Sequence, residues 1–328
     1  MRRPTGTLIS IAVAVVFVSL FLRAGSADTP QQTSMTLAQD ASAPTTEVPE
    51  TTTTTTTLPI GVEVCDLYGD ITTSGHIVSP ELVEASGIAA SRTTEGVLWS
   101  HNDSRGTATL YAFTTSGEDL GAFDVPDTFA FDWEDMSGGP GPDGRGDYLY
   151  IGDIGDNFAI RGGLVTVYRV PDIDPARLED QFPETAHLDY RYPDGAHNAE
   201  ALFIDPVEPA LYLVTKGNDA AFVFKGSLTP SDTPHELALV ATLLLGAEVS
   251  GADMSRDGST LVLRGYQTVW MWHRGIKTSV ADMLEYAPCL APSPRERQGE
   301  AITFDADFAY WTISEGSHSA IQVSERTR

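Results

Sequence analysis

The sequence predicts an all-β fold, a β-propeller of five four-stranded blades closed into a ring by an N-terminal strand. Three observations carry this reading. A short pattern of small or acidic residues that opens a strand recurs five times. Its spacing falls in the range of propeller blades. Each copy is followed by a turn and further β-rich segments, with no sustained apolar periodicity of helical length after Leu22.

The chain has 328 residues, and residues 1–60 do not read as part of that fold. Arg2 and Arg3 precede an unbroken apolar run from Leu8 to Leu22. Such a run makes a helix of about 22 Å, short of the ~30 Å hydrocarbon core of a bilayer. With Gly25-Ser26-Ala27 behind it, the run fits a signal peptide over residues 1–27. An uncleaved membrane anchor is the alternative. Either one places the rest of the chain outside the cytoplasm, extracellular or at the cell surface, with membrane contact only through this segment. Residues 28–60 are rich in Thr, Pro, Gln and Ser and include the run Thr51–Thr57. Without alternating apolar partners they bury nothing, so a solvated, disordered stalk is expected. The propeller then occupies residues 61–328.

Charge narrows the partners. Three of the 20 basic and four of the 46 acidic residues lie in residues 1–60, which leaves residues 61–328 at -25. A surface this negative repels phosphate backbones and anionic headgroups. Nucleic acid is excluded as a partner class, and cations or cationic partners are favoured. A monomer is expected.

The repeated pattern reads EASGIAAS at Glu84–Ser91, DWEDMSG at Asp132–Gly138, NAEALFID at Asn198–Asp205, SGADMSRD at Ser250–Asp257 and QGEAITFD at Gln298–Asp305. Aligned on Ile88, Met136, Leu202, Met254 and Ile302, the copies are 48, 66, 52 and 48 residues apart. Second strands follow at Gly96, Asp147, Ala210, Thr260 and Phe308, and third strands at Thr109, Val165, Ala221, Thr268 and Ala320. A fourth is readable at His187 and at Glu236. Four antiparallel strands make a blade. The long second interval leaves six blades as the alternative. The last unit ends after three strands, so its outer strand is expected from Gly75–Val83 (GHIVSPELV), which closes the ring. Cys65 precedes that strand and Cys289 lies between the fourth and fifth units, beside the same seam. A lone pair in an exported protein is expected to be oxidised.

The residues just before each aligned apolar position carry the chemistry. Two places upstream stand Ser86, Glu134, Glu200, Ala252 and Glu300, and four places upstream Glu84, Asp132, Asn198, Ser250 and Gln298. First strands line a propeller's axis, so the three glutamates are expected to converge at one channel mouth. Two carboxylates about 5 Å apart repel by roughly 3 kcal/mol at an effective dielectric near 20. A cation, basic neighbours or protonation must offset that. Hard oxygen donors in a loose ring suit calcium. The ends of the second strands add Asn102, Asp103, Asp153, Asp156, Asn157, Lys216, Arg264 and Glu315. The run Gly152–Asn157 (GDIGDN) reads as a turn presenting oxygen ligands, and Lys216 and Arg264 as balancing charges. A wholly structural role, in which these groups accept backbone N–H bonds between blades, is the alternative.

At Glu84-Ala-Ser-Gly-Ile, Asp132-Trp-Glu-Asp-Met, the Gly152–Asn157 turn, Asn198-Ala-Glu-Ala-Leu and Arg297-Gln-Gly-Glu-Ala-Ile the sequence resembles a group of exported propeller proteins. That group is similar to the phytase-like (esterase-like) propellers and, more distantly, to calcium-using gluconolactonase-type propellers. The resemblance implies a cation held by acidic and amide side chains at the mouth. Glu134, Glu200, Glu300, Asp153 and Asn157 are the matching types, with Asp156 beside them; Ser86 and Ala252 depart from the pattern. The first functional expectation is a calcium-assisted hydrolase of an ester, lactone or phosphoester, in which Glu134, Glu200 and Glu300 hold the ion and His101 or Glu315 serves as base. The other expectation is a non-catalytic module that binds a small molecule, glycan, peptide or protein.

Overall fold

The computed structural model describes residues 63–103 and 107–327. The expected signal peptide or anchor (1–27) and stalk (28–60) lie outside the described residues. Among the described residues, no helix is long and apolar enough to cross a membrane.

A 3-10 turn, Val64–Leu67, leads into β1 (Thr72–His76). Blade I is β2 (Ala85–Ala90), β3 (Val97–Asn102), β4 (Thr109–Thr114) and β5 (Asp119–Asp124). Blade II is β6 (Trp133–Gly139), β7 (Tyr148–Asp153), β8 (Leu164–Pro171) and β9 (Ala186–Arg191). Blade III holds β10 (Ala199–Asp205), β11 (Ala210–Thr215) and β12 (Ala221–Ser227); β13 (His235–Glu236) leaves it, and β14 (Ala238–Leu243) is its outer strand. Blade IV is β15 (Gly251–Met254), β16 (Thr260–Arg264), β17 (Val269–His273) and, after the short helix α1 (Val280–Leu284), β18 (Cys289–Ala291). Blade V is β19 (Gly299–Phe304), β20 (Tyr310–Ser314) and β21 (Ala320–Ser324), with β1 as its fourth strand.

The side-chain pattern explains the layering. Inner strands such as β2 (ASGIAA) and β10 (AEALFID) are buried along their whole length. A strand covered on both faces reads as a continuous small or apolar run. Outer strands such as β9 alternate between buried and exposed positions, because one face meets solvent. Apolar clusters fill all five blade-to-blade interfaces: Trp99 and Met136 between I and II, Leu202 and Tyr150 between II and III, and Phe203 and Leu263 between III and IV. Val262 and Ile302 pack between IV and V, and Ile88 and Ile313 between V and I. The inner strands contact one another in the cycle β2, β6, β10, β15, β19 and back to β2. Five blades are present, and the long second interval holds loops rather than a sixth.

The fourth strand of blade V comes from the N-terminal side, as β1 paired antiparallel with β21. It starts at Thr72, so the expected Gly75–Val83 overlaps it only at Gly75 and His76. Ile77 and Leu82, each 1 % exposed, leave the sheet because they are buried between blades V and I. There β1 runs so close to the β4–β5 turn that a Cβ on Gly75 would stand 2.0 Å from the Ser116 carbonyl oxygen. Cys65 and Cys289 form a disulfide across 224 residues. Cys289 opens β18 of blade IV instead of lying between units, so the bond ties the segment before β1 to blade IV. In the chain-entropy view, closing so long a loop stabilises by about 5 kcal/mol. The run at Glu236 also differs from expectation. Its start, β13, pairs in parallel with β9 of blade II, and only β14 stays in blade III.

The narrow axis is stitched by two buried aspartates. The Asp135 carboxylate accepts from the N–H groups of Met136 (2.8 Å), Leu202 (2.9 Å) and Ala252 (3.0 Å), joining blades II, III and IV. Asp253 accepts from Ser137 Oγ (2.7 Å), Thr303 Oγ1 (2.9 Å) and the Phe304 N–H (2.8 Å), joining IV to II and V. Thr303 Oγ1 accepts in turn from the Ala90 N–H (3.0 Å) of blade I. Asp135→Ala leaves three buried N–H groups without their acceptor, so a loss of about 4 kcal/mol is expected. Urea unfolding checks it, with the exposed Asp70→Ala as control. A midpoint equal to the control's removes this network from the fold's energetics.

Candidate functional site

Four of the five inner strands carry a β-bulge where they open. Pairing skips from Ala85 to Ile88 in β2, from Trp133 to Met136 in β6, from Ala199 to Ala201 in β10 and from Gly299 to Ala301 in β19. A bulge leaves a residue unpaired and re-aims its side chain. Glu134, Glu200 and Glu300 occupy these bulges, while β15, which pairs without interruption, has Ala252 at that position. The three glutamates are therefore brought to the mouth by bulges, whereas simple alternation along a strand would not place both Glu134 and Asp135 inward.

All three are 5–6 % exposed. Burial raises the pKa of Glu134 well above the ordinary carboxylate range, and Glu200, Asp103 and Asp132 add to the rise. Burial also raises Glu200, against the pull of Lys216 and Asn198. Lys216 Nζ lies 3.2 Å from Glu200 Oε1 and 5.6 Å from the Tyr266 ring centre. Burial works against its charge, yet Glu200 and the Tyr266 hydroxyl outweigh it and raise its pKa. Glu300 is pushed up to about 7, mainly by burial and then by Glu315 and Glu200, against a hydrogen bond from Gln298. Burial, Asp103 and Glu84 raise the half-buried Glu315. Asp103 donates its N–H to the Glu84 carbonyl (2.8 Å), and Gly316 donates to the Val83 carbonyl (3.0 Å), which sets these carboxylates side by side.

Among the described residues, the carboxylate oxygens of Asp103, Asp132 and Glu134 lie within 4.8 Å of one another. That span matches oxygen donors on opposite sides of an ion bound at 2.3–2.6 Å, the calcium range. Gly155 keeps the space open: a Cβ there would stand 2.1 Å from Glu134 Oε1 and 2.4 Å from Asp132 Oδ2. The set that fits a cation is thus at the seam of blades I and II, not the expected trio of glutamates, of which it includes only Glu134.

Other expected site residues are committed elsewhere. Asp153 accepts from the N–H groups of Phe131 (3.1 Å) and Asp132 (3.2 Å) and pairs with Arg161 Nη1 (2.6 Å). Asp156 accepts from the N–H groups of Ile160 (2.8 Å) and Arg161 (3.0 Å). These carboxylates are therefore spent on backbone N–H groups to either side of the Gly152–Asn157 turn and on Arg161. Asn157 is exposed, and its Oδ1 accepts from Asn198 Nδ2 (3.2 Å). Asn198 orients Glu200 through a 2.9 Å bond and caps the Asp156 N–H (2.6 Å). Asn102 Oδ1 accepts from the Val83 and Glu84 N–H groups (both 2.9 Å), fixing the approach to β2. Arg264 is fully buried under β19, paired with Glu296 and bonded to the Ala301 carbonyl (3.1 Å), and its charge also acts on Glu300 from beneath the strand. His101 has no solvent exposure. Its ring stands edge-on to Trp133 at 5.4 Å, and burial pushes its pKa down to about 4. A base must reach substrate, and this core histidine does not. Tyr266 was not anticipated; the signal was its place just past the end of a second strand, like that of Lys216.

What the fold and the mouth define is a five-bladed, carboxylate-mouthed β-propeller. No protein-family model matches the chain, and no curated protein matches its sequence. Solved structures do resemble it. The PQQ-bound aldose sugar dehydrogenase from Streptomyces coelicolor is 11 % identical at a TM-score of 0.41, over 78 % of this chain and 98 % of that one. A chain of the nidogen/laminin complex is 11 % identical at a TM-score of 0.43, over 71 % of this chain and 73 % of its own. Similarity this low carries nothing about activity.

Glu300 gives the mouth a measurable pH response. Its pKa in the fold, about 7, lies above the ordinary 4.5, so the fold favours its protonated form. The stability it contributes is full below about pH 4.5 and is lost as pH rises through about 7. Without added metal, Glu300→Gln is expected to melt several degrees above wild type near pH 8, and the difference to close as pH falls below about 4.5. Thermal melts across that range check it; a constant offset at every pH refutes the titration.

Proposed function

We propose that this chain is an exported, calcium-assisted hydrolase of an ester, lactone or phosphoester. The observation that supports the reading is the convergence of Asp103, Asp132 and Glu134 beside Gly155, where any side chain would collide with the carboxylates. A hard cation held there would polarise a substrate oxygen and lower the pKa of a bound water. The chain's own groups divide the remaining work. Lys216, anchored on Glu200, supplies the positive charge that a developing oxyanion needs. Glu300, with a pKa of about 7, is poised to take or give a proton near neutrality. Glu315 stands beside it as a second proton carrier. Export rests on the Arg2–Ala27 pattern and on the Cys65–Cys289 disulfide, which belongs to an oxidising compartment.

A second reading is a non-catalytic surface module that binds a glycan, peptide or protein across the mouth, the cation then being structural. It is favoured by the large apolar side chains exposed on the same rim, Phe129 at 72 % and Phe158 at 80 %.

Calcium titration and a substrate panel separate the two. Calcium at about 100 times its dissociation constant is expected to stabilise the protein by about 2.7 kcal/mol. Glu134→Gln and Gly155→Ala are expected to abolish that gain while remaining folded. On an esterase, lactonase and phosphoesterase panel, Glu300→Gln is expected to lower calcium-dependent turnover at least about 100-fold. Metal analysis finding no calcium after calcium dialysis, with no activity on the panel, sinks the hydrolase.

A further inference from the structure

We propose that the mouth-side rim of blade II is a docking surface for a basic, apolar-flanked polypeptide segment of another protein. Its apolar anchors lie outside the hydrolytic set, with which it shares only the negative charge of the bordering mouth, and it does not require the cation. Two loops carry the surface. One presents Phe129, 72 % exposed, and Phe131, 42 %; the other presents Phe158, 80 %, and Ile160, 69 %. Single exposed apolar residues are ordinary, but a group of this size on two adjoining loops marks an interaction site.

The loops are braced. Tyr168 donates its hydroxyl to the Phe129 carbonyl (3.1 Å), and Asp153 accepts the Phe131 N–H (3.1 Å). Asp156 accepts the Ile160 N–H (2.8 Å). Arg161 joins the two loops: it bonds Asp153 (2.6 Å) and the Gly155 carbonyl (3.1 Å) while its guanidinium lies 5.1 Å from the Phe131 ring centre. Apolar rings held out in this way form a prepared surface, which lowers the ordering cost of binding.

Charge decides the occupant. Phe131 is followed directly by Asp132, so the apolar rim borders the acidic mouth. A second copy seated on this rim would bring two acidic mouths together. An anionic membrane is repelled by a domain of this charge. A segment with Lys or Arg beside Leu, Phe or Trp complements both the apolar rim and the net negative charge of the domain.

The test uses the purified protein and fluorescein-labelled peptides that alternate Lys with Leu and Phe, read by anisotropy with calcium and with chelator. Binding is expected in both conditions. It should weaken as salt rises, and fall at least about tenfold in Phe129→Ser/Phe158→Ser with calcium binding unchanged. Phe158→Ser alone serves if the double variant melts lower. The proposal is overturned by equal affinity for peptides with Lys replaced by Glu or with Leu and Phe replaced by Ser, or by no binding up to about 1 mM. Self-association lost in the variant would assign the rim to a second copy. Flotation with phosphatidylcholine vesicles lost in the variant would assign it to lipid. Either outcome also overturns the proposal, while the calcium-dependent panel stands or falls separately.

Discussion

Asp135 and Asp253 sit where five sheets meet, and the rest of the ring is arranged around what they accept. Removing two carboxyl groups from water costs several kcal/mol each unless donors replace the lost hydration. Here backbone N–H groups and hydroxyls from other blades are those donors. Burial still drives the Asp253 pKa up to about 6, and the three bonds it accepts hold it from rising further. The consequence is directional. Apolar packing between blades tolerates small sliding, but a carboxylate with partners in two other blades fixes their heights relative to one another. Sheets fixed in height present their opening residues at one level, and a mouth with defined geometry depends on that.

The bulges convert this alignment into a site. An uninterrupted strand sends successive side chains to opposite faces, and in a propeller both faces are occupied by neighbouring blades. An extra residue at the opening frees one side chain per blade to point along the axis. Glu134, Glu200 and Glu300 are those side chains in blades II, III and V, the bulge of β2 presents Ser86, and the unbulged β15 adds no acid to the mouth. Carboxylates gathered in this way repel one another while burial strips their water. Among the described residues, the mouth responds with the ion pair of Glu200 with Lys216 and with raised pKa values at Glu134 and Glu300.

Most of the fold was legible because blades repeat. Five copies of one pattern located every inner strand, and the second and third strands followed from alternation and turns. The outer strands β5 and β18 were not legible. The first is mostly exposed and includes Gly121, and the second is three residues long, so neither leaves an apolar signature. The mouth was legible as a set of residues and misjudged in its division of labour. Asp153 and Asp156 look like ligands in sequence, since nothing in GDIGDN reveals that backbone N–H groups and Arg161 will claim them. Asp135 and Asp253 each lie one residue before an aligned apolar position, in plain view. Period-two reasoning follows the face of the aligned apolar residue and so passes over both: Asp253 lies on the other face of the unbulged β15, and at Asp135 the bulge in β6 interrupts the pleat.

The disulfide has a mechanical meaning. Traction applied to the chain upstream of Glu63 reaches Cys65 before it reaches β1. The covalent link diverts that load into β18 of blade IV, so the hydrogen bonds between β1 and β21 are never put in series with the pull. A ring whose last sheet borrows a strand from the opposite terminus is most easily peeled open at that strand. Under a pull from that side the peeling point is shielded for as long as the Cys65–Cys289 bond is intact.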